Sequence, residues 1–209
     1  MSDLSVVVLI SGRGSNLQAL IDACADPSFP AHIVRVISNR PGTKGLERAE
    51  KAGIATSVID HTDFPDRGAF DGALSAVIDK SQGELVCLAG FMRLLGDDFV
   101  AKLENRLINI HPSLLPAFKG LHVHQRVIEA GVKSSGCTVH FVRPETDAGP
   151  IIAQSTVPVR DDDTVEDLAA RVLEAEHVCY PAAVRLIAEG RVVVEDDQVL
   201  VDGQPLLAE

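Results

Sequence analysis

No stretch of the chain approaches the roughly 20 consecutive apolar residues that a membrane-spanning helix needs, although 46% of its 209 residues are hydrophobic. The N-terminus, Met1-Ser2-Asp3-Leu4, lacks the basic start and cleavage pattern of a signal peptide. A cytoplasmic protein is expected. The four cysteines, Cys24, Cys87, Cys137 and Cys179, form no Cys-x-x-Cys pair. That argues against a zinc site or a disulfide frame and predicts reduced, mostly buried thiols. Positive charge is scarce: 19 Lys and Arg stand against 30 Asp and Glu, a net charge of −11. The deficit is concentrated in residues 136–209, with 5 basic and 15 acidic side chains, against 14 and 15 in residues 1–135. Such a chain is a poor partner for nucleic-acid backbone. An anionic ligand must be met by local cations or backbone amides, in the N-terminal part. Internal repeats, low-complexity segments and an interdomain linker are also absent, so one core is expected, as a single domain or two closely packed halves.

The first glycine loop is informative for what it omits. Ser5–Ile10 is an apolar, β-branched run that reads as a buried parallel strand. Ser11-Gly12-Arg13-Gly14-Ser15-Asn16 follows, and Leu17, Leu20, Ile21 and Cys24 mark one face of a helix. The loop has no Gly-Lys-Ser/Thr, so it is not a Walker A loop. Leu17 stands where a dinucleotide fingerprint has its third glycine, and the next strand ends in Ser38-Asn39-Arg40 without a ribose-binding carboxylate. A monophosphate held by backbone amides, Ser15 and Asn16 at a helix N-terminus fits better.

Alternating strands and helices continue through Thr43–Gly53 (helix), Ala55–Ile59 (strand), Arg67–Gln82 (helix) and Leu85–Ala89 (strand). Gly90-Phe91-Met92-Arg93-Leu94-Leu95-Gly96 then sits at a strand's C-terminal end, where ligand crevices form. The chain centres on Leu107-Ile108-Asn109-Ile110-His111-Pro112. Asn109 and His111 are two apart on a short strand and share one face, and Pro112 ends the strand. Further on, Leu121–Gly131 reads as a helix, and Gly136–Val142 and Ile151–Val159 as an antiparallel pair. The intervening loop, Arg143-Pro144-Glu145-Thr146-Asp147-Ala148-Gly149-Pro150, exceeds turn length, as functional loops often do. Thr164 caps a helix that carries Glu176 on its apolar stripe and that Pro181 is expected to kink or interrupt. Residues 191–201 read as a closing hairpin. The fold class is α/β: a mostly parallel twisted sheet with helices on both faces, Rossmann-like, with antiparallel strands in the C-terminal part.

Asn109, His111 and Asp147 together make an oxyanion donor and a carboxylate-tuned acid/base. No Ser or Cys in a nucleophile-elbow context accompanies them. The set suits acyl or formyl transfer without covalent catalysis. His122, His124 and His140 match no common zinc spacing, so no metal is expected.

These motifs resemble those of the folate-dependent formyltransferases, the glycinamide ribonucleotide formyltransferases in particular. The resemblance rests on Ser11–Asn16, Gly90–Leu94, Asn109–Pro116 and Asp147–Pro150, and runs from the first strand to about Gly190. It implies a single formyltransferase domain over 1–209. Residues of about 1–105 would hold the ribonucleotide, and about 106–209 the chemistry and the folate. Gly14, Ser15 and Asn16 would bind phosphate, and Glu176 the ribose hydroxyls. Arg67, Met92, Arg93, Leu94, Leu95, Asn109 and the Arg143, Pro144, Glu145, Thr146, Asp147 loop would form the pocket for 10-formyltetrahydrofolate, the co-substrate. Asn109, His111 and Asp147 would be catalytic. The implied partners are small molecules, not nucleic acid or membrane, for a monomer or homodimer. The rivals are formyltetrahydrofolate hydrolase, whose family carries an N-terminal regulatory domain, methionyl-tRNA formyltransferase, which carries a C-terminal tRNA-binding domain, and a non-enzymatic nucleotide-binding protein, which would need no Asn-x-His strand.

Overall fold

The computed structural model describes residues 3–205. In chain order the elements are β1 (Leu4–Ile10), α1 (Ser15–Cys24), β2 (Ala31–Ser38), α2 (Lys44–Lys51) and β3 (Thr56–Val58). A short 3-10 turn (His61–Asp63) leads to α3 (Arg67–Lys80), β4 (Leu85–Leu88), α4 (Asp97–Lys102) and β5 (Leu107–His111). Then come α5 (Val123–Glu129), β6 (Ser134–Phe141), β7 (Ile151–Pro158) and α6 (Val165–Ala188). The chain closes with β8 (Val192–Glu195), β9 (Gln198–Val201) and β10 (Gln204–Pro205).

Seven strands form one sheet in the order β3-β2-β1-β4-β5-β6-β7, and β8–β10 form a small antiparallel sheet. β1 pairs in parallel with β2 and β4, as do β2 with β3 and β4 with β5, whereas β6 and β7 are antiparallel. This mostly parallel sheet, flanked by helices, with an antiparallel pair near the C-terminus, is the architecture the sequence predicts. Two compact units divide the chain, one ending at Asn109 and one beginning at Ile110.

In the first unit, β1 is the central strand, and Val6 to Ile10 are buried. The chain leaves β1 to add β2 and β3 on one side, then returns to add β4 and β5 on the other. β1 and β4 therefore flank the point where strand order reverses, and α/β sheets bind ligands beyond the C-terminal strand ends at that point. The short helix α4 was not legible in the sequence. Its six residues are too few to show a period, though Phe99 and Val100 are buried.

In the second unit, α6 opens with a reciprocal cap. Asp167 N–H donates to Thr164 Oγ1 at 3.1 Å, and Thr164 N–H to Asp167 Oδ2 at 3.0 Å. The helix runs 24 residues straight through Pro181, which corrects the expected interruption. Proline inside a helix costs about 3 kcal/mol. Burial of Tyr180, Ala183 and Val184 around it offsets this, at about 1.5–3 kcal/mol per large apolar side chain. The four cysteines are free thiols, and Cys87, Cys137 and Cys179 are buried. Among the described residues no helix is long and apolar enough to cross a membrane.

Candidate active site

The glycine loop after β1 turns directly into α1. Gly14 has φ +69 and precedes α1, and Gln18 N–H reaches back to its carbonyl at 3.0 Å. A Cβ on Gly14 would lie 2.7 Å from Gly45 Cα, so α2 packs directly on the loop. Gly45 N–H also donates to Gly12 O at 3.1 Å, and Arg48 Nε to Arg13 O at 3.0 Å. A cleft of about 250 Å³ opens here, lined by Ser11 to Asn16, Arg40, Ala89, Gly90 and Met92. It lies beyond the C-terminal ends of β1, β2 and β4, with Gly14, Ser15 and Asn16 in its wall. A larger depression of about 440 Å³ between α1 and α2, lined by residues such as Gln18, Lys44 and Arg48, contains none of the predicted site residues.

Ser11 joins this loop to the next. Its hydroxyl donates to Asn39 Oδ1 at 2.5 Å and accepts from Met92 N–H at 2.7 Å. Met92, Arg93 and Leu94 are exposed, Leu95 is half-buried, and Arg67 is exposed on α3. Asn109, the last residue of the first unit, is half-buried between the buried Ile108 and Ile110 and pairs in register with Leu88.

The second unit holds the histidine cluster. Asp147 Oδ2 lies 3.4 Å from His111 Nδ1 and accepts from Gly120 N–H at 2.8 Å. His111 Nε2 lies 3.0 Å from Phe118 O. The ring thus faces a carboxylate on one nitrogen and a carbonyl on the other. Asp147 Oδ1 lies 3.8 Å from Nε2 of a second histidine, His140, whose Nδ1 contacts Phe141 O at 2.9 Å. His111 and His140 are 5% and 2% exposed. Burial pushes the His140 imidazole below the usual histidine range, outweighing the pull of the Phe141 carbonyl and Asp147. Burial lowers His124 likewise, helped by His111.

The loop carrying Asp147 owes its path to glycine. Asp147 itself has φ +51, which aspartate tolerates better than most residues. A Cβ on Gly149 would collide with Phe141 O, so the chain can return against β6 only with glycine there. Thr138 of β6 fixes the segment after His111. Its hydroxyl donates to Ser113 O at 2.6 Å and accepts from Leu115 N–H at 3.0 Å. Gln154 of β7 adds a bond to Leu115 O at 2.9 Å.

A formyl transferase model matches residues 4–184. The chain belongs to the formyl transferase family. It is 45% identical over 203 residues to phosphoribosylglycinamide formyltransferase of Escherichia coli K12, covering 97% of this chain and 96% of that enzyme. The structure of a phosphoribosylglycinamide formyltransferase from Coxiella burnetii superposes with a TM-score of 0.94 at 45% identity, covering 99% of this chain and 97% of that one. The chain is also 54% identical over 191 residues to the trifunctional purine biosynthetic protein adenosine-3 of Gallus gallus. That match covers 91% of this chain but only 19% of the relative's length.

Among the remaining candidates of this formyl transferase, Glu176 is 7% exposed on α6, and its charge acts on the thiols of Cys137 and Cys179. Arg143 is held by Asp197 at 2.8 Å, and Glu145 by Lys119 at 3.3 Å, while Pro144, Glu145 and Thr146 are exposed. Sequence reasoning names His140 and His124 only in setting a zinc site aside and assigns them no role. The return of the Asp147 loop onto β6 is what places His140 in the cluster. His122 is exposed at the start of α5, with φ +55. No group of three or more His, Cys, Asp or Glu side chains among the described residues is arranged for a metal ion.

Proposed function

We propose that this protein transfers the formyl group of 10-formyltetrahydrofolate to the amine of 5-phosphoribosylglycinamide, giving phosphoribosyl-N-formylglycinamide and tetrahydrofolate in purine synthesis, in the cytoplasm. The observation that carries the reading is the buried His111–Asp147 pair in a formyl transferase whose glycine loop opens a helix beyond a central strand. Gly14, Ser15 and Asn16 hold the ribonucleotide phosphate through backbone amides and short polar side chains, and Glu176 holds its ribose hydroxyls. Arg67, Met92–Leu95, Asn109 and Arg143–Asp147 form the folate pocket, the loops acting largely through backbone groups. All of this sits in one formyltransferase domain, with the ribonucleotide on residues of about 1–105 and the chemistry and folate on about 106–209.

The amine nitrogen attacks the formyl carbon, and a tetrahedral intermediate forms. Asn109 and His111 stabilise its oxyanion, His111 through Nε2, which exchanges the Phe118 carbonyl for the intermediate. The carbon–N10 bond then breaks as N10 of the folate receives a proton from His111, and the proton lost by the attacking nitrogen returns to His111, which ends as it began. Asp147 holds the imidazole in orientation. His140, whose pKa is lowered by burial, lies with Nε2 3.8 Å from the other oxygen of Asp147.

Mass spectrometry of the ribonucleotide after incubation with formylfolate tests this. The ribonucleotide gains one formyl group in place of one hydrogen, and the gain disappears in His111→Ala. A ribonucleotide recovered unchanged while formylfolate is consumed overturns the transfer reading.

A further inference from the structure

The Gly90–Gly96 loop is fastened to α3 at both ends. Near its start the Phe91 ring stacks on Phe70, with centroids 6.5 Å apart and planes within 13°. Phe64 closes the edge of Phe70 at 5.8 Å. At its end, Gly96 N–H donates to Asp71 Oδ2 at 2.8 Å. Phe70 and Asp71 are neighbours on α3, and both are buried. Between the two fastenings Met92 and Leu94 are 67% and 70% exposed.

A buried carboxylate is costly unless hydrogen bonds compensate it, and here the Gly96 N–H does so. Burial raises the Asp71 carboxyl above its ordinary value, while the Gly96 N–H, Arg67 and Arg93 draw it down. Its second oxygen, Oδ1, is buried with no hydrogen bond. A Cβ on Gly96 would come within 2.8 Å of Asp71 Oδ2 and 3.7 Å of Arg67 Nε. Carboxylate, loop end and guanidinium therefore converge on one point.

We infer that Asp71 is a positioning residue for folate binding: through Gly96 it fixes the Met92–Leu95 backbone. The inference rests on the reading of Met92–Leu95 and Arg67 as folate-binding. Asp71 touches no reacting atom in this scheme.

Two variants and two readouts test it. Asp71→Ala removes the acceptor for Gly96 N–H, and a hydrogen bond to a charged group of this kind corresponds to about tenfold or more in folate KM. The ribonucleotide KM rises less than the folate KM, because Ser11 still holds Met92 at the glycine-loop cleft, and kcat stays within about twofold. Asp71→Asn keeps an oxygen for Gly96 N–H and recovers most of the loss. Trypsin cleavage after Arg93, in ligand-free protein, is faster in Asp71→Ala than in wild type and near wild-type in Asp71→Asn. An unchanged folate KM in Asp71→Ala overturns the inference. So does a parallel rise in both KM values with a lowered Tm, which would mark a purely structural role. If the wild type never consumes formylfolate, the functional reading fails, and trypsin still decides whether Asp71 fixes the loop.

Discussion

The Ser11 hydroxyl bridges two loops: it accepts from Met92 N–H at 2.7 Å and donates to Asn39 Oδ1 at 2.5 Å. Ser11 belongs to the loop assigned to phosphate and Met92 to the loop assigned to folate. Ser11→Ala leaves the buried Asn39 oxygen and the Met92 N–H without this partner, at a cost of about 1–3 kcal/mol. The expected outcome is a lower denaturant midpoint and a rise in the KM of both substrates. A rise in only one KM would show that the bridge does not link the two loops functionally.

His111→Ala and Asp147→Asn act on the chemistry rather than the fold. Loss of an oxyanion donor is worth about 10²–10³ in rate, and loss of general acid catalysis about 10²–10⁴. Both variants are expected to lose kcat on this scale while keeping the wild-type circular dichroism spectrum. Asparagine at 147 still offers an oxygen to Gly120 N–H, so the loop persists while the charge beside His111 is gone. Near-normal turnover in either variant refutes the catalytic assignment.

The phosphate loop depends on a close approach. A Cβ on Gly45 would collide with Ile10 Cδ1 and lie 3.2 Å from Gly12 O. Gly45→Ala therefore forces α2 away from the loop, and overpacking of this kind costs about 1–3 kcal/mol. A lowered Tm and a raised ribonucleotide KM are expected, with the folate KM less affected. Ser15 and Asn16 substitutions shift the same KM without the loss of Tm. If the folate KM responds more, the two substrates have been assigned to the wrong loops.

Acid lability follows from the buried histidines. His140 and His124 titrate below the usual histidine range when folded, so between that range and the folded values the unfolded chain binds more protons. Stability then rises with pH. Their contribution is complete above the ordinary histidine pKa of about 6.5 and is lost as pH falls from there toward the folded values. Carboxylates titrate lower, so a Tm series from about pH 7.5 to 5.5 isolates the histidines. His111, Asp147, Lys119 and the Phe141 carbonyl act on His140 from their several segments. His140→Gln is expected to flatten the series, and an unchanged slope would place the acid sensitivity elsewhere.

Much of this was legible in residues alone because the determining signals are local. The run Ser5–Ile10, the glycines beyond it and the Asn109–His111 spacing each specify strand, loop or shared face within a few positions. Pro181 misled because its local cost is outweighed by tertiary burial around Tyr180. His140 was assigned no role for the opposite reason: its place in the cluster exists only where a loop returned by Gly149 sets Asp147 beside it. Asp71 falls in the same class, since an acidic residue on an amphipathic helix gives no sign that a glycine 25 residues on will need its oxygen. The closing hairpin matched no motif, yet its Asp197 holds Arg143 of the Asp147 loop at 2.8 Å.

The most direct measurement follows the absorbance of the folate product from 10-formyltetrahydrofolate, with and without 5-phosphoribosylglycinamide. The account predicts product only when the ribonucleotide is present, at a rate that collapses in His111→Ala. Product released equally fast without the ribonucleotide would make the protein a hydrolase, and would leave the Gly12–Asn16 loop without its assigned ligand.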